Sequence, residues 1–209
     1  MEDVAMILVQ NMGLSIKNEI ILKDINMEAN QGEIWGIVGR NGSGKTMLMK
    51  CICGFVRPTE GKVFVNEKQI GRDADYPSDV GMMIEVPGFI PYYSGYKNLK
   101  LLADINGKIG KKEILESMGT VGLDGGLKRP VRKYSLGMRQ RLGIAQAIME
   151  RPSILILDEP FNGLDMDGVK EIRELLLRYR EQGKIILIAS HISEDIEILC
   201  DHVINLNEF

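Results

Sequence analysis

The chain has 209 residues, with 26 Lys and Arg against 29 Asp and Glu and a formal net charge of −3. This length is typical of one α/β domain with a single core, or of one core with an inserted subdomain. A net acidic chain gives no electrostatic case for binding nucleic acid, so we expect no nucleic-acid partner. The first ten residues, MEDVAMILVQ, contain no base, and no apolar run reaches the roughly 18 residues that span a bilayer. We therefore expect a soluble, cytoplasmic protein.

Short strands are predicted in the first part of the chain. EIWGIV (Glu33–Val38) has the pattern of a strand that runs into a glycine-rich turn, and residues 45–53 have the apolar spacing of a helix. GKVFVN (Gly61–Asn66) and VGMMI (Val80–Ile84) are short apolar runs bounded by turn formers, which favours strands. The first third of the chain is thus expected to be rich in strands.

Helices are predicted in the middle of the chain, over about residues 87–150. The helical segments there are SGYKNLKLLADI, KKEILESM and Leu136–Glu150. The remainder alternates between strands and helices, in the order SILIL, Val169–Arg180, KIILIAS, Glu194–Cys200 and HVINLN. Apolar strands that alternate with helices predict a parallel sheet buried on both faces. We expect one α/β domain over residues 1–209, with a helical subdomain at about 87–150.

GRNGSGKT matches the phosphate-binding loop in all its specified positions, and it lies between a predicted strand and a predicted helix. Its glycines let backbone N–H groups surround a phosphate chain, and its Lys reaches the terminal phosphates. The hydroxyl that follows the Lys can hold Mg²⁺, and the helix dipole adds positive potential. The sequence therefore predicts a nucleotide site formed by Gly39, Arg40, Asn41, Gly42, Ser43, Gly44, Lys45 and Thr46.

SILILDEP (Ser153–Pro160) is an apolar strand that ends in two acids. A parallel strand delivers such acids to the carboxyl edge of the sheet, beside the phosphate-binding loop. Asp158 then suits Mg²⁺, usually through water, and Glu159 suits the general base that acts on the attacking water. Together with the phosphate-binding loop, this pair predicts nucleotide hydrolysis.

YSLGMRQRL (Tyr134–Leu142) lies just before that strand and predicts a second anion site. Ser135 is a good N-cap, and Gly137 lets a phosphate approach the start of the following helix. The stretch resembles the signature motif, of Leu-Ser-Gly-Gly-Gln type, in the ATPase subunits of ATP-binding cassette (ABC) transporters. Ser135 and Gly137 match that motif, whereas Tyr134, Leu136 and Met138 depart from its commonest form.

The order of the remaining motifs extends this resemblance over essentially the whole chain. NGLD (Asn162–Asp165) stands where the family has its D-loop, and His191 matches the family's switch histidine. The resemblance therefore implies that His191 acts in catalysis together with Glu159 and Lys45. The implied fold is the P-loop ABC ATPase, with a mainly parallel core sheet, an N-terminal antiparallel β subdomain and an inserted helical subdomain.

The resemblance also implies how the two anion sites work together. In these ATPases two domains face each other head to tail, and ATP on one phosphate-binding loop is completed by the signature serine and glycine of the other. The resemblance therefore implies a homodimer or a paralogous partner, bound ATP and Mg²⁺, and a separate transmembrane permease. The chain would lie on the cytoplasmic face of the cell membrane as a peripheral subunit.

Two positions depart from the family's usual residues. Ile16 aligns with the aromatic residue that stacks on adenine, so phosphate contacts would dominate and GTP can compete with ATP. Glu85 occupies the place of a glutamine that touches Mg²⁺, the attacking water and the permease. No base stands near this acid in the sequence, the next one being Lys97, and Mg²⁺ is its candidate partner.

Glu85 and the following VPGFIPYYSGYKNL resemble a bacterial subgroup linked to bacitracin and lantibiotic resistance. That narrower resemblance implies export of antimicrobial peptides or drugs. One alternative is a soluble ABC ATPase not coupled to transport, but the chain has neither two joined cassettes nor long coiled coils. A second is a scaffold that binds ATP without hydrolysing it, against which the presence of both Glu159 and His191 argues.

Overall fold

Two β-sheets and six α-helices form residues 6–85 and 87–207, the part of the chain that the computed structural model describes. The strands are β1 (Met6–Ile16), β2 (Glu19–Asn30), β3 (Ile34–Val38), β4 (Glu60–Val65), β5 (Lys68–Gln69), β6 (Val80–Met83), β7 (Ile154–Asp158), β8 (Ile185–Ala189) and β9 (His202–Asn205). The helices are α1 (Lys45–Ile52), α2 (Gly95–Asn106), α3 (Lys111–Thr120), α4 (Leu136–Ile148), α5 (Met166–Glu181) and α6 (Ser193–Leu199). Every predicted strand and helix is present, with ends that differ by a few residues at most.

The first sheet is antiparallel and has the order β2-β1-β4-β5. β1 and β2 form a long hairpin whose turn residues, Lys17 and Asn18, both have positive φ, as a two-residue type I′ turn requires. From Ile25 onwards, buried and exposed residues alternate along β2, because only one face of this sheet is covered. The sheet confirms the expected N-terminal antiparallel β subdomain.

The second sheet has the order β6-β7-β8-β3-β9, and all its neighbouring strands are parallel. All residues of β7 and β8 are buried. The strands that lead to the phosphate-binding loop, to the Asp158–Glu159 pair, to His191 and to Glu85 therefore all end at the same edge of one sheet. The mainly parallel core sheet predicted from the sequence is confirmed.

The side chains of β7 and β8 divide between two hydrophobic cores. Ile156 and Leu187 pack in a core with the antiparallel sheet and α1, whereas Leu155 and Ile186 pack in a core with α2 to α5. Successive side chains of a strand point to opposite faces, so the parallel sheet is the middle layer of three. Because both faces are covered, the polar residues of this sheet lie at a strand end, as Asp158 does, or in the edge strand β9, as His202 and Asn205 do.

The predicted helical span of about residues 87–150 contains α2, α3, α4 and a short 3-10 helix, Val131–Lys133. Serine N-caps begin two of these helices, since Ser94 Oγ accepts from the Lys97 N–H and Ser135 Oγ from the Met138 N–H. None of the helices in the described part of the chain is long and apolar enough to cross a membrane.

Candidate nucleotide site

The loop between β3 and α1 folds back around its own lysine. Lys45 Nζ donates to the carbonyl oxygens of Gly39 at 2.7 Å and Arg40 at 3.2 Å. Gly42 and Gly44 have φ of 83° and 95°, values that L side chains rarely adopt, and Gly44 is the N-cap of α1. The backbone thus has the curled shape that the sequence predicts for a phosphate-binding loop.

One hydroxyl inside this loop is buried and unpaired. Ser43 Oγ has no hydrogen-bond partner among the described residues. A Cβ atom placed on Gly39 would lie 2.2 Å from it, so only glycine fits there. A buried polar atom without a partner is destabilising unless a ligand supplies one. Its position therefore fits an anion bound within the loop.

The phosphate-binding loop lines a cleft of about 500 Å³. The other walls come from the end of β1, the start of β2 and the end of β7, and the lining residues are Ile16, Ile21, Asn41, Gly42, Ser43, Gly44, Lys45, Thr46, Met47, Asp158 and Glu159. A second cleft of about 600 Å³ is lined by Gly39, Arg40, Asn41 and His191, among others. The structure thus brings Ile16, Asp158 at the end of β7 and Glu159 just after it to the loop, while their roles stay predictions.

Two oxygen atoms of the kind that bind Mg²⁺ lie in contact in the lining of the cleft. Thr46 Oγ1, in α1, donates to the buried Asp158 Oδ2 at 2.8 Å, although β8 lies between β7 and β3, the strand that precedes α1. Within the described residues no group of three His, Cys, Asp or Glu side chains could hold a metal ion alone. Mg²⁺ is usually bound by one or two protein oxygens together with substrate phosphates, so this pair fits such an ion.

The predicted base and switch histidine are in direct contact. His191 Nδ1 lies 2.8 Å from Glu159 Oε2. The Glu159 backbone is held from two sides, because its N–H donates to the Ala189 carbonyl at 2.9 Å and its carbonyl accepts from Gln140 Nε2 at 2.7 Å. Its φ of 49° is unusual for a non-glycine residue. No sequence motif predicted this role for Gln140, which is 19 residues from Glu159 in the chain and lies inside a helix.

Glu85 lies outside the residues that line the cleft, and it has a partner that sequence neighbours do not reveal. Lys50 Nζ, on α1, is 2.5 Å from Glu85 Oε1, and the Glu85 side chain is 60% exposed. The next base along the chain is Lys97, but the fold brings Lys50 of α1 to the end of β6. The predicted contact of Glu85 with Mg²⁺ stays a prediction.

The signature residues stand apart from the cleft. Ser135 Oγ accepts from the Met138 N–H at 3.1 Å and so caps α4. A Cβ atom on Gly137 would lie 2.8 Å from the carbonyl oxygen of Gly163, and Leu136 next to it is 63% exposed. Neither Ser135 nor Gly137 is among the residues that line the phosphate-loop cleft. The two predicted anion features are thus separate within one chain.

The sequence profile of the family described as "ABC transporter" matches residues 22–162. Uncharacterized ABC transporter ATP-binding protein YybJ of Bacillus subtilis (strain 168) is 42% identical over 202 residues, covering 97% of this chain and 93% of YybJ. Bacitracin transport ATP-binding protein BcrA of Bacillus licheniformis is 43% identical, covering 86% of this chain and 59% of BcrA. Lantibiotic transport ATP-binding protein SrtF of Streptococcus pyogenes is 37% identical, covering 95% and 85%.

Two solved structures share the fold over nearly the whole chain. CbiO1 of Clostridium perfringens, described as part of the ABC transporter complex cbiONQ, superposes with a TM-score of 0.79 at 28% identity, covering 95% of this chain and 83% of cbiO1. The dimeric ABC transporter cassette MJ0796 gives a TM-score of 0.84 at 24% identity, covering 95% and 93%. These similarities confirm the predicted ABC ATPase fold.

Proposed function

The chain belongs to the ABC transporter family of ATP-binding, ATP-hydrolysing subunits, and we propose that it works as one half of a head-to-tail dimer that drives a separate membrane permease. In this proposal residues 1–209 form one ATPase domain with a helical insertion at about 87–150. The domain lies on the cytoplasmic face of the membrane, where the permease holds it. Its dimer partner is a second copy or a paralogous cassette.

The 2.8 Å contact between the Glu159 carboxylate and the His191 ring carries the chemical part of the proposal. A carboxylate at the wall of the cleft can accept the proton of an attacking water, and the ring fixes where that carboxylate points. Lys45 neutralises charge on the phosphates, which is where most of the stabilisation in phosphoryl transfer arises. Bound Mg²⁺ would supply further neutralisation, held by Thr46 and Asp158.

We infer that this chain binds the base of the nucleotide more weakly than it binds the phosphates. Ile16 lines the cleft where the family usually has an aromatic side chain. Stacking on an aromatic ring contributes roughly 1–3 kcal/mol per base in nucleic-acid complexes. We infer that ATP is held mainly through its phosphates and that GTP competes with it.

Two relatives support a narrower transport role. BcrA is named a bacitracin transport protein and SrtF a lantibiotic transport protein. We infer that this chain powers export of an antimicrobial peptide or a similar drug. The chain spans 59% of BcrA, so this activity of the whole relative is carried over only as a proposal. Co-purification of the chain with a bacterial permease from membranes would support it, and recovery as a permease-free dimer from cells making every candidate permease would oppose it.

The direct chemical test replaces Glu159 with glutamine. The amide fills the same space but cannot accept the proton of water, so turnover is expected to fall by at least about 100-fold while ATP binding is kept. Phosphate release and binding of a fluorescent ATP analogue measure the two properties separately. Glu181→Gln, an equivalent change at the end of α5 and outside both clefts, is the control. A Glu159→Gln protein that hydrolyses ATP at the parental rate would remove Glu159 as the base.

A further inference from the structure

Asp195, a buried aspartate four residues after His191, belongs to none of the sequence motifs named above. Asp195, in α6, is 1% exposed, and among the other buried polar side chains of residues 6–85 and 87–207 only Ser190, at 2%, is comparably enclosed. A buried carboxylate is strongly destabilising unless charged and polar partners compensate it. Its partners therefore indicate what the residue does.

Asp195 is paired with an arginine of α5. Arg173 approaches one carboxylate oxygen with two nitrogens, Nε at 3.0 Å and Nη2 at 2.5 Å, and its Nη1 reaches Glu194 at 3.2 Å. The Arg173 side chain is 16% exposed, so most of the pair is removed from water. Two charged donors from one planar guanidinium, both on the same oxygen, compensate the charge of the carboxylate and fix its direction.

The other oxygen of Asp195 holds the Ser190 hydroxyl, which in turn bridges the two neighbours of His191. Ser190 Oγ donates to Asp195 Oδ2 at 3.1 Å, and the same hydroxyl accepts from the Ile192 N–H at 3.1 Å. These two bonds close a loop around His191, whose own side chain is half exposed and meets Glu159. The contacts run from Arg173 of α5, through Asp195, to Ser190 and Ile192, the two residues that flank His191.

We propose that Arg173, Asp195 and Ser190 are positioning residues that hold the His191 ring on the Glu159 carboxylate. This inference rests on the proposed role of the Glu159–His191 pair and extends it to α5 and α6. Without the buried anion, the Ser190 hydroxyl loses its acceptor and the His191 backbone loses its fixed direction. A displacement of about 1 Å at a reacting group can lower a rate by a factor of about 100.

Asp195→Asn is the first test, because it keeps the shape and removes the charge. The expected result is a fall in kcat by about ten-fold or more with an unchanged KM for ATP, since the phosphate-binding loop is untouched. Asp201→Asn is the matched control. Asp201 also pairs with an arginine of α5, Arg180 at 3.1 Å, but stands beyond the far end of α6. It should keep the parental kcat.

A spectroscopic measurement separates positioning from general loss of structure. The chain has two histidines, so ring-labelled protein gives two imidazole signals, which His191→Gln assigns. Asp195→Asn should shift or broaden the His191 signal and leave that of His202 in place. A loss of kcat and of melting temperature with an unmoved His191 signal would overturn the proposal.

Ser190→Ala keeps the proposal testable if Asp195→Asn does not fold. It removes only the hydroxyl that joins Asp195 to the loop, and it should move the His191 signal and lower kcat. Ser117→Ala, which removes another buried hydroxyl that donates to a carbonyl at 2.8 Å, is its control. Parental kcat in both serine variants would contradict the proposal. Parental kcat in His191→Gln would instead refute the proposed role of His191, whatever the signals show.

Discussion

Glu85 illustrates how a single residue acquires a partner that its sequence neighbourhood conceals. Its carboxylate lies at the end of β6 and contacts Lys50 on α1, 35 residues earlier in the chain. The side chain is mostly exposed, and exposed ion pairs typically contribute about 0–1 kcal/mol, so stability alone is a weak reason for the acid. We therefore predict a role of Glu85 towards Mg²⁺ or its waters, which the resemblance implies for the glutamine usually found at this place.

Replacing Glu85 tests that role. Glu85→Gln keeps an oxygen and removes the negative charge that attracts Mg²⁺, so half-maximal hydrolysis should require more Mg²⁺ while the rate at saturation partly survives. Glu85→Ala removes the ligand and should do worse on both counts. The measurement is the ATPase rate against Mg²⁺ concentration. Asp104→Asn, which breaks an exposed ion pair on α2, is the control. Superimposable curves for all these proteins would leave Glu85 as a surface acid.

The three cysteine thiols are expected to be unreactive in the native protein. Burial raises the pKa of Cys51 to about 11, and burial is also the main cause that raises the pKa of Cys53 and Cys200 to about 12. Raised pKa values mean that the reactive thiolate is scarce at pH 8 and becomes appreciable only at much higher pH. Mass spectrometry after alkylation at pH 8 should find almost no adducts on native protein and three on unfolded protein. Fast labelling of Cys51 or Cys53 in fully active protein would contradict this.

At the scale of elements, α4 joins the signature motif to Glu159, the carboxylate predicted to act as the base. The helix begins at the signature serine, and one and a half turns later Gln140 Nε2 donates to the Glu159 carbonyl at 2.7 Å. A single hydrogen bond contributes about 1 kcal/mol to stability. Its larger effect is expected on position, because Glu159 has a positive φ that needs support from its surroundings.

Gln140→Ala therefore should lower kcat by about five-fold with little change in KM for ATP. Gln146→Ala is the matched control, since it makes the same change in the same helix but lines a different cavity, near Asp79 and Glu150. Steady-state kinetics and melting temperatures of both variants provide the comparison. If the two variants have equal kcat values, the hydrogen bond does not position Glu159.

The sequence predicted the elements better than the contacts between them. The strand Ile34–Val38, the glycine loop after it and the helices at 95–106 and 136–148 were all predictable, because their periodicity and caps are local. The long β1–β2 hairpin was predicted only as part of a strand-rich first third and of the antiparallel subdomain that the resemblance implies, because its turn residues, Lys17 and Asn18, lack the glycine of the commonest hairpin turns. The Lys50–Glu85, Gln140–Glu159 and Arg173–Asp195 contacts could not be predicted, because each joins residues that only the tertiary fold brings together.

At the scale of the whole molecule, the parallel sheet explains why site residues far apart in the sequence lie close together. Its faces are covered by two cores, and its carboxyl edge gathers the phosphate-binding loop, Asp158, Glu159 and His191. The signature residues at the start of α4 are not part of that cleft. A single chain therefore carries two separate halves of the proposed site, and two chains related by a two-fold axis would form two complete sites.

Mixing two inactive variants tests this central claim most directly. Lys45→Ala damages the phosphate-binding half and Ser135→Arg the signature half, so each homodimer should be inactive. In a mixed dimer one site has both defects and the other is intact. If an intact site works alone, equimolar mixing should restore up to about a quarter of the parental ATPase rate, since half of the dimers are mixed and each has one intact site. The parental rate per chain should also fall on dilution. No recovery on mixing, together with a parental rate that does not depend on protein concentration, would contradict the shared site.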